Sequence, residues 1–173
     1  MDTFLDILLL LVPALLVFLT AMIFFNRMRN DQREFQKWHM RSEERKHSLP
    51  LQMKAYERLI IMLERITPSN LVMRVNQGSM NGAQLQLELL KAVRSEFEHN
   101  ISMQMYVSRT AWELTKNAKD EVLQMVKIAA TKAGPEASGM ALSKEIFDLE
   151  AKTGNQAIKQ TLDLLRMEAQ KMM

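Results

Sequence analysis

ILLLLVPALLVFLTAMIFF, residues 7–25, is a run of nineteen uncharged residues broken only by Pro13 and Thr20. As a helix rising 1.5 Å per residue it extends about 28 Å, close to the hydrocarbon thickness of a bilayer. A cleaved secretory leader would want a basic start, a shorter apolar core and small residues at its end. Here the leading charges are Asp2 and Asp6, and the bulky Ile23, Phe24 and Phe25 close the run. Residues 1–25 therefore read as an uncleaved transmembrane anchor that meets the lipid bilayer through residues 4–25. Asp6, near the start of the apolar stretch, reaches the outer interface on this reading.

The flanks give an orientation. Arg27, Arg29, Arg33 and Lys37 follow the span and no base precedes it. All 23 Lys and Arg, and 18 of the 20 Asp and Glu, lie beyond residue 25. The positive-inside rule then puts the N-terminus outside and the rest of the chain in the cytoplasm. The absence of cysteine fits a reducing compartment, and it excludes a disulfide scaffold and a thiolate metal site. A chain of 173 residues with only five Gly and four Pro is neither collagen-like nor a large multidomain enzyme.

Everything after the span reads as helix. Residues 26–47 are polar nearly all round with mixed charge, as a solvated helical stalk is, with Met28, Phe35, Trp38 and Ser42 on one thin stripe. Ser48 and Pro50 mark a break and restart. From there to residue 173 the apolar residues recur at helical spacing. Leu51, Ala55, Leu59, Met62, Leu63 and Ile66 form the first stripe, and Thr67-Pro68 opens a short helix with Leu71, Val72 and Val75. Residues 77–82 are a loop.

A long helical region over 83–133 buries Leu85, Leu89, Leu90, Val93 and Phe97, then Val107, Ala111, Leu114, Ala118, Val122, Met125 and Ala129. Periodicity leaves open whether it bends at His99-Asn100. Gly134-Pro135 ends it. A last helix over 141–172 carries Leu142, Ile146 and Leu149, then changes phase after Gly154 to Ile158, Leu162, Leu165, Ala169 and Met172. The expected architecture is all-α: a transmembrane anchor (1–25), a charged juxtamembrane stalk (26–47) and an antiparallel helical bundle (48–173).

Catalytic signatures are sparse. Glu-x-x-His on a helix is the half-site of di-metal bundles, and it occurs at Glu44/His47 and Glu96/His99. The first pair sits in the most polar part of the chain, and the second neighbours Glu98 and Asn100. A working site would also need both pairs in one dry core with two more carboxylates. These four residues are therefore weak metal candidates, and no cofactor is expected. There is no nucleophile elbow, no phosphate-cradling Gly loop and no clustered basic patch with aromatics. The chain reads as a non-enzyme that does not bind nucleic acid. Fifteen methionines are many; Met73, Met80, Met103 and Met105 either line an adaptable interface or simply fill the core.

YERLIIMLERITPSNLVMR at 56–74 and EFEHNISMQMYVSRTAWELTKNAKDEV at 96–122, behind a single N-terminal span, resemble a family of small uncharacterised proteins of Bacteroidetes (flavobacteria and relatives). The resemblance covers nearly the whole chain and implies a bacterial inner-membrane protein of this architecture; it supplies no activity. Tyr56, Arg58, Glu96, His99, Tyr106 and Trp112 lie in the matching blocks. They are the candidate interaction residues, with internal ion pairs and aromatic packing as the plainer use for them. The b-type stator subunit of ATP synthases is similar only in topology, because Pro50, Pro68, residues 78–82 and Gly134-Pro135 chop this chain into a compact bundle.

The function expected from these residues is a membrane-anchored scaffold or protein-interaction module at the cytoplasmic face, with a protein partner or self-association. A metal-binding or ligand-sensing bundle using Glu96/His99 is the alternative. A third class is lipid-surface binding through residues 27–46.

Overall fold

A computed structural model of the chain describes residues 48–173, together with Leu15, Leu16, Phe18, Leu19, Thr20, Met22 and Phe24. Residues 26–47, expected as a stalk, and with them Arg27, Arg29, Arg33, Lys37, Glu44 and His47, lie outside the described residues, as does most of the apolar run at 7–25. The chain divides into two units, Met1–Ser48 and Leu49–Met173. In the first, the eight described residues, Ser48 included, are helical and exposed, and the Thr20 hydroxyl donates to the Leu16 carbonyl at 3.0 Å. Among the described residues no helix is long and apolar enough to cross a membrane.

The second unit is all-helical. Helix α1 covers 48–66, so Ser48 and Pro50 already belong to a helix. It is followed by α2 (Pro68–Val75), α3 (Gly82–Asn100), a 3-10 turn (Ile101–Met105), α4 (Arg109–Ala133), α5 (Gly139–Thr153) and α6 (Gln156–Gln170). The described residues contain no strand, only one antiparallel bridge between Asn81 and Ser138. Helix α4 is the central element and packs on α3, α5 and α6, while α2 lies against α3 and α5.

Each boundary has a local cause. Asn81 and Gln84 form a reciprocal capping box at the start of α3, with Gln84 N–H donating to Asn81 Oδ1 at 2.8 Å and Asn81 N–H to Gln84 Oε1 at 3.1 Å. Ser108 and Ser138 cap α4 and α5 by accepting from Ala111 N–H at 3.0 Å and Ala141 N–H at 3.2 Å. The question that periodicity left open at 99–100 resolves as a full break, because the 3-10 turn intervenes and Ser108 restarts the chain. The expected single helix over 141–172 is two helices. Gly154 takes a left-handed conformation at φ 65° that ends α5, and Asn155 at φ 52° starts α6. The phase change in the apolar pattern was the trace of that break.

One core unites the six helices, with Leu59, Leu63 and Ile66 from α1, Leu71 from α2, Leu85, Leu89 and Val93 from α3, and Val122 and Val126 from α4. Leu142 and Ile146 of α5 and Ile158, Leu162 and Leu165 of α6 complete it. Each such side chain contributes about 1.5–3 kcal/mol by leaving water. The stripe on α4 differs from expectation. Thr115 and Val126 are buried where Leu114 and Met125 were expected, and the Thr115 hydroxyl is satisfied by the Ala111 carbonyl at 2.7 Å. Leu51, also expected inside, is 52% exposed.

The loops before α3 and α5 cross at the bridge. Gly82 N–H donates to the Ala137 carbonyl at 2.7 Å, and Gly139 N–H donates to the Met80 carbonyl at 3.1 Å. Each glycine directly follows its N-cap, and a Cβ on Gly82 or Gly139 would stand 2.8 or 2.6 Å from the facing carbonyl oxygen. Two helix starts are therefore fixed to each other by backbone contact.

Candidate functional site

Among the open grooves of the described residues, two hold side chains singled out from the sequence as candidates for interaction. The first runs between α1 and α3, has a volume of about 450 Å³, and is lined by Arg58, Ile61, Met62, Arg65, Ser95, Glu96, His99 and Asn100. Positions 58, 61, 62 and 65 fall on one face of α1 by their spacing. Three of the expected interaction residues, Arg58, Glu96 and His99, meet here.

Polar contacts fix the groove closely. Glu96 Oε1 takes Arg65 through Nε at 2.8 Å and Nη2 at 2.7 Å, and Arg74 of α2 through Nη1 at 3.0 Å. Arg74 Nη2 also donates to the Arg65 carbonyl at 3.3 Å. Arg58 Nε donates to Asn100 Oδ1 at 3.1 Å and its Nη2 to the His99 carbonyl at 3.2 Å. Asn100 is buried, and its amide donates back to the Glu96 carbonyl at 2.8 Å. Two guanidinium groups thus hold the Glu96 carboxylate and a third, Arg58, lies in the same groove on neutral acceptors, so the surplus charge is positive.

This arrangement bears on the Glu96/His99 metal candidate. The carboxylate sits between two guanidinium groups, which repel a cation, and among the described residues no three His, Cys, Asp or Glu gather in reach of one ion.

The other interaction candidates lie elsewhere. Tyr56 faces the core at 2% exposure and donates to Glu168 Oε2 of α6 at 2.8 Å. Ser108 Oγ donates to Glu168 Oε1 at 2.8 Å, and Ser108 N–H reaches the Tyr56 hydroxyl at 3.4 Å. Burial first, and then donation to the Glu168 carboxylate, push the phenol up to about 12. Glu168 and Ser108 were not among the expected residues; the N-cap position of Ser108 ahead of an apolar run was their one sequence signal. Trp112 stacks on Phe97 with ring centroids 5.3 Å apart, and Lys119 lies over the Phe97 ring at 4.8 Å. Tyr106 is half-buried in the turn after the 3-10 segment, where its N–H bonds the Met103 carbonyl at 3.0 Å.

The second groove lies between α2 and α5. It has a volume of about 570 Å³ and is lined by Val72, Met73, Asn76, Met140, Ser143, Lys144, Phe147 and Asp148. Met73 is 80% and Met140 79% exposed, and Phe147 is also exposed. Its polar floor is satisfied internally: Asn76 Nδ2 donates to Ser143 Oγ at 3.1 Å, and Ser143 Oγ to the Gly139 carbonyl at 2.8 Å. What the groove offers outward is apolar and flexible. Met73 was singled out from sequence among the clustered methionines; Met140 was not.

These features define a class: an all-helical bundle whose half-buried carboxylates tie helices together and whose open grooves present side chains to solvent. Within that class the chain belongs to a family of unknown function, DUF7935, whose model matches residues 2–172. No curated protein and no solved structure matches the chain.

Proposed function

We propose that the chain is a membrane-anchored interaction module whose bundle docks an amphipathic helix of a partner protein in the α2–α5 groove. The observation that carries this is the exposure of Met73, Met140 and Phe147 around a groove in whose floor the Asn76 amide and the Ser143 hydroxyl are already hydrogen-bonded within the bundle. Methionine side chains adapt to the shape of an incoming apolar face, as promiscuous helix-binding surfaces do. Lys144 and Asp148 at the rim present both signs of charge, which suits the mixed flanks of an amphipathic helix. Glu96, Glu150 and Glu168 are each occupied in cross-helix contacts.

The apolar run at 7–25 and the exposed side chains of Leu15, Leu16, Phe18, Leu19, Met22 and Phe24 support a single lipid-facing span. With Arg27, Arg29, Arg33 and Lys37 behind it, we place the bundle on the cytoplasmic side of a bacterial inner membrane. The chain has no native cysteine, so single reporters are clean. Met73→Cys and Met140→Cys, each labelled with a photo-crosslinker in native membranes, are expected to capture one shared protein, and Lys116→Cys on α4 is expected not to. Equal capture from all three positions, or none, would contradict the reading.

A further inference from the structure

We infer that the α1–α3 groove is a recognition site for an acidic segment of a partner protein, with the Arg58 guanidinium binding a carboxylate. The inference is independent of the α2–α5 groove.

Arg58 is half-buried, and its Nε and Nη2 are held by Asn100 Oδ1 and the His99 carbonyl. Both acceptors are neutral. No carboxylate among the described residues pairs with this guanidinium, and Nη1 has no partner there. The end-on edge formed by Nη1 and Nη2 is the edge that takes a carboxylate through two parallel hydrogen bonds. The buried Asn100 holds the fork in place, so little side-chain freedom is lost when a ligand arrives.

The surroundings select the ligand. Arg65 lies seven residues further along α1, a rise of about 10 Å. It spends Nε and Nη2 on Glu96 and leaves Nη1 without a partner among the described residues. Between the two arginines lie Ile61, 48% exposed, and Met62. A free oxyanion would use the arginines and leave this apolar floor bare. An acidic helical segment uses both: a carboxylate on Arg58, a second one heptad away toward Arg65, and an apolar side chain between them on Ile61. The surplus positive charge of Arg58, Arg65 and Arg74 over Glu96 favours approach of such a segment at low salt.

The probe is a fluorescein-labelled helical peptide with Glu at two positions seven apart and Leu midway, titrated by anisotropy onto the full-length chain in neutral detergent. Binding is expected to weaken with salt and to fall about tenfold in Arg58→Gln and in a peptide with Gln for both Glu. Arg58→Lys, which keeps the charge and loses the fork, is expected to weaken binding less than Arg58→Gln. The Gln peptide needs no protein variant, so the test survives if Arg58→Gln fails to fold. Equal binding of the Glu and Gln peptides, or of wild type and a folded Arg58→Gln, would overturn the inference. Displacement of the peptide by inorganic phosphate at matched ionic strength would reassign the groove to a small oxyanion. Arg58-dependent binding to phosphatidylglycerol vesicles with no binding of the peptide would reassign it to a lipid headgroup.

Discussion

Tyr56 shows how one residue can look like surface chemistry and act as a structural tie. Its neighbours in sequence, Glu57 and Arg58, are charged, yet the side chain points inward and joins α1 to α6 through Glu168 and to the start of α4 through Ser108. Tyr56→Phe leaves Glu168 one donor short in a half-buried site. A loss of about 1–3 kcal/mol is expected in chemical denaturation at neutral pH. The pH dependence follows from the raised phenol. The folded protein holds the Tyr56 proton up to about 12, while the unfolded chain releases it near 10.0. The stabilisation is therefore fully present below pH 10 and is lost as pH rises from 10 toward 12. The advantage of wild type over Tyr56→Phe should shrink across that window and stay constant between pH 7 and 9.

At the scale of elements, the crossing of the α3 and α5 starts is the most exacting contact in the bundle. Gly82→Ala and Gly139→Ala each push a methyl group against a backbone carbonyl that is itself hydrogen-bonded. Each should cost about 1–3 kcal/mol in thermal or denaturant unfolding, whereas Gly78→Ala, with open space around it, should be near neutral. Helix positions were legible in sequence because a buried stripe repeats every three or four residues, as Leu85, Leu89 and Val93 do. Breaks were less legible. The Gly154-Asn155 break is only two residues long and showed as a phase change, since the stripe resumes at once on the next helix. Thr115 escaped notice as a core residue because its hydroxyl is satisfied within its own helix, which a reading by polarity does not see.

The same limit governs the grooves. Arg58, Glu96 and His99 were singled out together and do meet, because α1 and α3 lie side by side along one groove although α2 separates them in the chain. Glu168 could not be found that way, since it meets Tyr56 across 112 residues of chain. The α2–α5 groove was half visible: Met73 stood in a conspicuous methionine cluster, but its companion Met140 comes from a helix that only tertiary packing brings alongside.

For the molecule as a whole, the bundle is a platform whose helices are tied by cross-helix hydrogen bonds and whose grooves are open to solvent. Its helices are joined through one core, so a substitution on an exposed groove residue should leave stability unchanged while altering what binds. The most direct test is to isolate the tagged full-length chain from its native membranes, with and without the paired substitutions Met73→Glu and Met140→Glu, and to record thermal melts in parallel. The account predicts that the protein crosslinked from positions 73 and 140 is lost from the doubly substituted chain while the melting temperature is unchanged. Retention of that protein by a normally folded double variant would contradict it.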